Sequence, residues 1–231
     1  MNGSTVPGPP PAHDDRADER RRMVDEQLAA RGIRDLGVLS AMRDVPRHAF
    51  VPAELAADAY ADRALPVGEG QTISQPWIVA RMLELARLDP GAHVLEIGTG
   101  TGYQTALLSR LVGQVTSVER LASLSVGARA RLDALGASNV RVLVGDGSVG
   151  WQEFAPYARV LAAAAAPHVP QALLAQLAEG GVLVLPVGGP QSQRLETWRR
   201  AGGGFVNERH EECRFVPLIG QDAWREGPRP Q

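Results

Sequence analysis

The spacing of apolar residues divides the chain near residue 90. Upstream of that point, apolar positions recur at helical intervals, which predicts helices at residues 23–31, 35–43 and 76–86. Gly32 closes the first helix, the second stops ahead of Pro46, and the third begins on Pro76. Residues 45–75 show little periodicity. A connection of that length inside a compact domain is often functional.

Downstream of residue 90, short apolar runs alternate with amphipathic segments, which indicates strands alternating with helices. This pattern predicts a parallel sheet that is covered by helices on both faces. Two further β segments, at residues 194–199 and 212–218, would complete the sheet as an antiparallel pair. The parallel strands are expected at residues 93–97, 114–118, 140–144, 159–163 and 182–187, and the helices at 103–111, 122–135 and 170–177.

Composition narrows the class of protein. A chain of 231 residues suits one domain, and 44% apolar with 22% charged residues is typical of a globular protein. The net charge of −2 does not indicate the excess of positive charge that binds nucleic acid or an anionic membrane, so neither is expected as a partner. The single cysteine, Cys213, has no internal disulfide partner, which favours a cytoplasmic location. We expect a buried, inert thiol in the strand predicted there.

The most informative segment, residues 94–103, reads Val-Leu-Glu-Ile-Gly-Thr-Gly-Thr-Gly-Tyr and runs from a strand through a glycine-rich turn into a helix. Ligands of such sheets bind at the carboxyl ends of the strands. Gly98, Gly100 and Gly102 permit close backbone approach or positive φ there, although their spacing alone also fits a simple tight turn. The spacing differs from the G-x-G-x-x-G that places a helix on a pyrophosphate. Glu96, just before the loop, would repel phosphate but suits a cationic group.

Two more acidic residues follow at the ends of the next two strands. Glu119 stands about 20 residues after the loop, where a carboxylate accepts hydrogen bonds from ribose hydroxyls; the alternative is a surface glutamate. Asp146, followed by Gly147, is placed to accept from an adenine amino group, and the alternative is a plain turn. Together with Glu96, they predict a nucleoside that carries positive charge rather than phosphate. S-adenosylmethionine, with its ammonium and sulfonium groups, has that chemistry.

These residues resemble the class I methyltransferases, and neighbouring segments narrow the resemblance to the protein-L-isoaspartate O-methyltransferase family. Residues 96–105, Glu-Ile-Gly-Thr-Gly-Thr-Gly-Tyr-Gln-Thr, are similar to that family's first motif. Residues 70–76, Gly-Gln-Thr-Ile-Ser-Gln-Pro, are similar to its upstream loop, which generic methyltransferases lack. Residues 45–52, 185–189 and 214–218 also look like family segments, in family order. The resemblance covers about residues 20–220.

The resemblance implies an α/β fold, namely a Rossmann-like, doubly wound, seven-stranded methyltransferase sheet with an N-terminal helical cap. We expect a disordered leader at residues 1–17, one methyltransferase domain at 18–224 and a loose tail at 225–231. Within the domain, residues 18–90 form the cap and substrate loop, and residues 91–224 form the cofactor-binding sheet.

The implied reaction moves a methyl group from S-adenosylmethionine to the α-carboxylate of an L-isoaspartyl residue in a damaged protein. The methyl ester then collapses to a succinimide, which reopens in part to normal aspartate. The expected partners are therefore damaged proteins and peptides, and the enzyme is expected to act as a monomer.

On the substrate side, we expect Ser74 to be the catalytic residue, with Thr72, Ile73 and Gln75 shaping the loop that holds the isoaspartyl group. The alternative for Ser74 is an N-cap for the helix that begins at Pro76. A carboxylate is already ionised at neutral pH, so the reaction needs no general base. The sequence accordingly shows no metal cluster and no convincing catalytic triad.

Two positions depart from the family pattern. Ala158, at the start of the fourth parallel strand, stands where the family usually has Asp, and its effect is expected to be structural. Ala163 stands where Thr or Gly is common, near the transferred methyl group. Small residues are acceptable there, so we expect activity to survive. Elsewhere, His48 is expected to be structural, and Arg214 is placed near the substrate by family position only.

Three alternatives stay open at this point. A carboxyl methyltransferase dedicated to one peptide is expected to carry additional sequence for gripping it, which this chain lacks. A non-catalytic relative that only binds S-adenosylmethionine has no need of the loop at residues 70–76. A dinucleotide oxidoreductase is disfavoured by the glycine spacing and by the position of Glu96.

Overall fold

The computed structural model describes residues 16–225, and its first elements form a helical cap. Helix α1, Ala17–Arg22, continues into a π-helical turn, Met23–Leu28, and a 3-10 turn, Ala29–Arg31. Gly32 ends this helix in the left-handed region with a φ of 99°, as predicted. The helix therefore begins at Ala17, inside the expected leader. Residues 1–15 of that leader lie outside the described residues.

Residues 45–75 are more ordered than predicted, because they contain turns and a small hairpin. The hairpin turn uses Gly68, Glu69 and Gly70, all with positive φ. Glycine adopts that conformation without steric cost, and a turn of this kind leaves no mark on apolar periodicity. The elements in this part of the chain are α2 (Leu36–Asp44), the 3-10 turns Arg47–Phe50 and Ala53–Asp58, and the antiparallel strands β1 (Leu65–Gly68) and β2 (Gln71–Ile73).

A seven-stranded sheet and its helices follow. The elements are α3 (Pro76–Leu85), β3 (His93–Ile97), α4 (Tyr103–Leu111), β4 (Gln114–Glu119), α5 (Ala122–Ala134), β5 (Val140–Val144), β6 (Tyr157–Ala162), α6 (Gln171–Ala175), β7 (Leu177–Gly188), β8 (Gln193–Ala201) and β9 (Gly204–Cys213). The strands lie in the order β5-β4-β3-β6-β7-β8-β9. The first five strands are parallel, and β8 runs antiparallel to both of its neighbours. This confirms the predicted Rossmann-like sheet with its helical cap. The direction of winding reverses between β3 and β6, whose carboxyl ends flank a crevice.

The centre of the sheet is buried on both faces, which explains the near-continuous apolar runs of its parallel strands. Along β3, Val94 packs on one face, whereas Leu95 and Ile97 pack on the other. The cluster around Val94 also includes Met42 and Phe50 of the cap. The cap and the sheet therefore share one hydrophobic core, in which each fully buried large side chain contributes roughly 1.5–3 kcal/mol.

The last strand was predicted in the wrong place. β9 contains only residues 212 and 213 of the predicted segment 212–218. Most β9 side chains are at least partly exposed because it is an edge strand, so it lacks the apolar alternation that marks a half-buried strand. The apolar residues at 214–218 follow the strand instead, and Pro217 pairs with Ala165 beyond β6.

Cys213 closes β9 and is partly buried. Burial raises the pKa of its thiol to about 11, so the group is protonated and unreactive at neutral pH, in line with the prediction of an inert thiol. Within residues 16–225, no helix has both the length and the apolar content required to cross a bilayer. Of the tail expected at residues 225–231, only Arg225 belongs to the described residues.

Candidate functional site

A groove opens at the carboxyl ends of β3, β4 and β6, where the winding of the sheet reverses. With the space at its open mouth included, the groove holds about 850 Å³ that protein atoms do not occupy. Its walls combine the loop before α3, the glycine loop, the ends of β4 and β6, and the segment after β9. The residues that line it are 71–74, Val79, 97–101, Tyr103, Gln104, 118–120, Gly147, 163–164 and 216–219.

Three glycines in the left-handed region shape the glycine loop, residues 98–102. Gly98, Gly100 and Gly102 have φ values of 90°, 55° and 94°, which other residues adopt only at a cost. A Cβ on Gly98 would lie 3.5 Å from that of Ala163, whereas a Cβ on Gly100 would meet nothing within 4 Å. Gly98 and Gly100 line the groove as predicted. Gly102 does not, and it packs against Ala128 of α5.

Glu119, at the end of β4, holds the glycine loop through its carboxylate. It accepts hydrogen bonds from the backbone N–H groups of Gly100, at 2.9 Å, and Leu121, at 3.0 Å. Although it is largely buried, Glu119 lines the groove. Each carboxylate oxygen retains a lone pair for a further donor, so ribose hydroxyls fit this site. The Gly100 N–H already donates to this carboxylate and is therefore not free to bind a phosphate.

Glu96 lies beneath the glycine loop and does not line the groove, contrary to the prediction that it faces a cationic group. Its fully buried carboxylate accepts hydrogen bonds from Gln104 Nε2 at 3.1 Å, Thr105 Oγ1 at 2.5 Å and Ser117 Oγ at 2.6 Å. Burial raises the pKa of Glu96 to about 7 and outweighs these hydrogen bonds, which lower it. Glu96 thereby ties β3 to β4 and α4.

Asp146 acts as a turn cap, the alternative that the sequence left open. One carboxylate oxygen accepts from the N–H and Oγ of Ser148, at 2.8 and 2.7 Å, and the other accepts from the N–H of Gln221 at 2.7 Å. Asp146 does not line the groove, but Gly147 does. A Cβ on Gly147 would approach Ile97 to 2.4 Å, so only glycine fits there without rearrangement.

Residues 216–219, here called the closing segment, form one wall of the groove. The N–H of Ala165 donates to the carbonyl of Val216, and the N–H of Leu218 donates to the carbonyl of Ala165, both at 2.8 Å. Beyond the segment, Gly220 packs on the Asp146 carboxylate so closely that a Cβ would lie 2.0 Å from its oxygen. The turn at Asp146 therefore fixes the closing segment against the groove.

The substrate loop, residues 71–75, forms another wall. Thr72, Ile73 and Ser74 line the groove, whereas Gln75 does not. The Gln75 side chain donates to the carbonyl of Asp62 at 3.2 Å and so ties the loop to the cap. Helix α3 has Gln75 at its N-cap position and no side-chain cap, so the capping alternative for Ser74 is wrong. Among residues 16–225 the Ser74 hydroxyl makes no hydrogen bond, which leaves it available to a ligand.

The other residues singled out in the sequence differ in whether they line the groove. Ala163 lines the groove, whereas Ala158 lies near the opposite end of β6. His48 lies in the cap with Nδ1 2.7 Å from the Tyr60 hydroxyl, which supports a structural role. Arg214 is exposed and does not line the groove. In the part of the chain that the structure describes, no three His, Cys, Asp or Glu side chains form a group suited to a metal ion.

Several residues that line the groove were not predicted from the sequence, among them Thr99, Thr101, Tyr103 and Arg120. The two threonines alternate with the glycines of the motif, and this position could have predicted that they line the groove. The Thr99 hydroxyl lies 2.6 Å from Ser117 Oγ, which extends the hydrogen bonds of Glu96 up to the loop. Arg120 directly follows Glu119, a predicted ligand residue. Neither its charge nor the spacing of apolar residues indicates that it lines the groove.

Known proteins resemble the chain over nearly its whole length. The family model described as Protein-L-isoaspartate(D-aspartate) O-methyltransferase matches residues 18–223. A protein-L-isoaspartate O-methyltransferase of Methanoregula boonei is 54% identical over 209 residues, which cover 90% of this chain and 96% of that protein. One of Koribacter versatilis is 52% identical over 206 residues, which cover 89% of this chain and 93% of that protein.

Solved structures that carry the same family name also resemble the chain. A protein-L-isoaspartate O-methyltransferase structure superposes with a TM-score of 0.79 at 31% identity, and covers 88% of this chain and 67% of its own. A Plasmodium falciparum structure with that family name, in complex with S-adenosyl-L-homocysteine, has a TM-score of 0.77 at 24% identity. It covers 87% of this chain and 98% of its own, and at that identity it supports the fold alone.

We expect Glu96 to make stability depend on pH. An unfolded glutamate titrates near 4.5 and folded Glu96 near 7, so the folded protein binds more protons between these values. The contribution of Glu96 to the free energy of unfolding is therefore complete below about pH 4.5 and is lost as pH rises through about 7. Urea unfolding of the wild type and Glu96→Gln at pH 5 to 8 tests this. A wild type with the same slope as the variant would contradict it.

Gly220→Ala is expected to displace the closing segment, because the added methyl group overlaps the Asp146 carboxylate. The variant should lose about 1–3 kcal/mol in free energy of unfolding and bind S-adenosylhomocysteine several-fold more weakly by calorimetry. Gly189→Ala is the matched control, because a Cβ there meets nothing within 4 Å. Equal affinities for the two variants would reject the coupling of Asp146 to the groove.

Proposed function

The chain belongs to the protein-L-isoaspartate(D-aspartate) O-methyltransferase family, and we propose that its groove brings S-adenosylmethionine and an L-isoaspartyl residue together. The enzyme transfers the methyl group to the α-carboxylate of that residue in a damaged protein, and the ester then collapses to a succinimide. The observation that carries the proposal is the meeting of two features in one groove. A glycine loop held by a carboxylate lines the same groove as Ser74.

The glycine loop and the end of β4 form the cofactor side. Glu119 accepts hydrogen bonds from the ribose hydroxyls, and Gly98 and Gly100 let the backbone approach the ligand closely. Gly147 lies beside the adenine, presented by the turn that Asp146 caps. Bound S-adenosylmethionine supplies an electrophilic methyl group on a positively charged sulfonium. Among residues 16–225, the charged residues that line the groove are Glu119 and Arg120.

The substrate loop holds the isoaspartyl residue. Ser74 Oγ–H donates a hydrogen bond to one oxygen of the α-carboxylate, and the other oxygen faces the methyl group. Thr72 and Ile73 shape the wall around it, and Gln75 holds the loop to the carbonyl of Asp62. Gln75 is therefore a positioning residue in this proposal.

The chemistry requires alignment more than activation. The α-carboxylate is ionised at neutral pH and is itself the nucleophile, so no side chain has to remove a proton. Holding the carboxylate oxygen in line with the methyl group converts a bimolecular encounter into a positioned reaction. Ala163 suits this arrangement, because its small side chain packs against Gly98 without filling the groove.

General repair is favoured over a dedicated peptide substrate, because relatives that are about half identical over most of the chain carry the isoaspartate name. The groove-lining Ser74 hydroxyl argues against a relative that only binds the cofactor. We also propose that the enzyme acts in the cytoplasm as a monomer, without nucleic acid or membrane as partners. The lone cysteine supports the location, and the net charge of −2 supports the absence of nucleic acid and membrane as partners.

The test is transfer of labelled methyl to a short isoaspartyl peptide and to its normal aspartyl twin. The wild type should place base-labile label on the isoaspartyl peptide alone. Ser74→Ala should lower turnover by about tenfold or more, the scale of a lost charge-assisted hydrogen bond, with cofactor affinity unchanged.

Ser109→Ala is the matched control, because the Ser109 hydroxyl donates to the Ala106 carbonyl of its own helix and Ser109 does not line the groove. Unchanged turnover in Ser74→Ala would remove Ser74 from the mechanism. A wild type that labels neither peptide would contradict the proposed function itself.

A further inference from the structure

Buried polar atoms without a hydrogen-bond partner are rare in folded proteins, and each needs an explanation. Six such side-chain atoms occur among residues 16–225. Four of them belong to three residues near the substrate loop, namely two guanidinium nitrogens of Arg47, one carboxylate oxygen of Asp62 and the indole nitrogen of Trp77. Asp62 binds Gln75 through its carbonyl, and Trp77 follows in α3. These atoms are therefore concentrated behind the loop that holds the substrate.

Arg47 stands out because it carries a full charge. Its side chain is 0% exposed, and Nε donates to the carbonyl of Ala59 at 2.8 Å. Nη1 and Nη2 have no hydrogen-bond partner, and no carboxylate pairs with them among the described residues. Asp62 attracts the guanidinium from a distance, but its other carboxylate oxygen binds Arg31. The positive charge of Arg47 is thus only partly compensated.

A buried charge without a partner is costly, so its presence beside a groove suggests a role. Burial lowers the pKa of Arg47, but a guanidinium stays protonated at neutral pH. The guanidinium carbon lies 5.1 Å from the centre of the Tyr103 ring, and this cation–π contact offsets part of the cost. Tyr103 itself lines the groove. The charge therefore lies one side chain behind the groove wall.

We propose that Arg47 is a specificity-determining positioning residue that favours an anion in the substrate half of the groove. The inference rests on the proposed function, in which an α-carboxylate enters the space lined by Ser74 and Tyr103. A fixed charge behind a protein wall is poorly screened by solvent, so it attracts that carboxylate without touching it. Methylation turns the carboxylate into a neutral ester, which loses the attraction. Arg47 therefore also favours release of the product.

The test compares two peptides that differ only in charge, an isoaspartyl peptide and its isoasparaginyl twin, in which a carboxamide replaces the α-carboxylate. Binding of each fluorescent peptide is measured by anisotropy with S-adenosylhomocysteine present. Arg47→Gln keeps a donor for the Ala59 carbonyl and removes the charge, whereas Arg47→Lys keeps the charge. Arg20→Met is the matched control, because Arg20 is also buried in the cap but donates to Tyr60, which does not line the groove.

We expect the wild type and Arg20→Met to prefer the isoaspartyl peptide. Arg47→Gln should bind it about tenfold more weakly and the isoasparaginyl peptide less than about twofold more weakly. Arg47→Lys should keep most of the preference, which provides a test even if Arg47→Gln does not fold. Equal weakening of both peptides, an unchanged preference in Arg47→Gln, or a lost preference in Arg47→Lys would overturn the inference. Absence of methyl transfer by the wild type would instead contradict the proposed function.

Discussion

The hydrogen bond from the Gly100 N–H to the Glu119 carboxylate is the constraint on which the groove depends. It joins the turn after β3 to the end of β4, and it requires the left-handed backbone that glycine provides. The same bond removes the amide that a phosphate would use. One contact therefore both builds the loop and withholds one of its amides from a phosphate. Glu96 supports the loop from below, where it is sealed from the ligand.

Two segments from distant parts of the chain add walls to the groove at the end of the sheet. The substrate loop enters from the cap and is tied to the Asp62 carbonyl, and the closing segment enters from beyond β9 and is tied to Asp146. The Gln75 side chain makes the first of these ties, and the N–H of Gln221, just beyond the closing segment, makes the second. Arg47 adds a charge behind that wall. In the proposed function, the sheet determines where the cofactor binds, and the two added segments determine what is methylated.

The parallel strands, the antiparallel addition and the glycine loop were predictable because each leaves a local pattern in the sequence. The helical cap, Glu119 and the three lining residues of the substrate loop were also anticipated. The burial of Glu96 was not anticipated, because a residue before a loop can face either the ligand or the core. Its side is determined by hydrogen bonds such as the one from Ser117. The strand β9 and the roles of Asp146 and Arg47 depend on contacts between residues far apart in sequence. Periodicity and motif spacing carry no information on such contacts.

The central claim, that Glu119 binds the ribose as well as the loop, is tested most directly by a thermodynamic cycle. Calorimetry would compare S-adenosylhomocysteine with its 2′-deoxy analogue on the wild type and on Glu119→Ala. The account predicts that the wild type binds the deoxy analogue several-fold more weakly and that this difference disappears in the variant. An undiminished difference in Glu119→Ala would show that Glu119 holds only the loop and that the ribose is bound elsewhere.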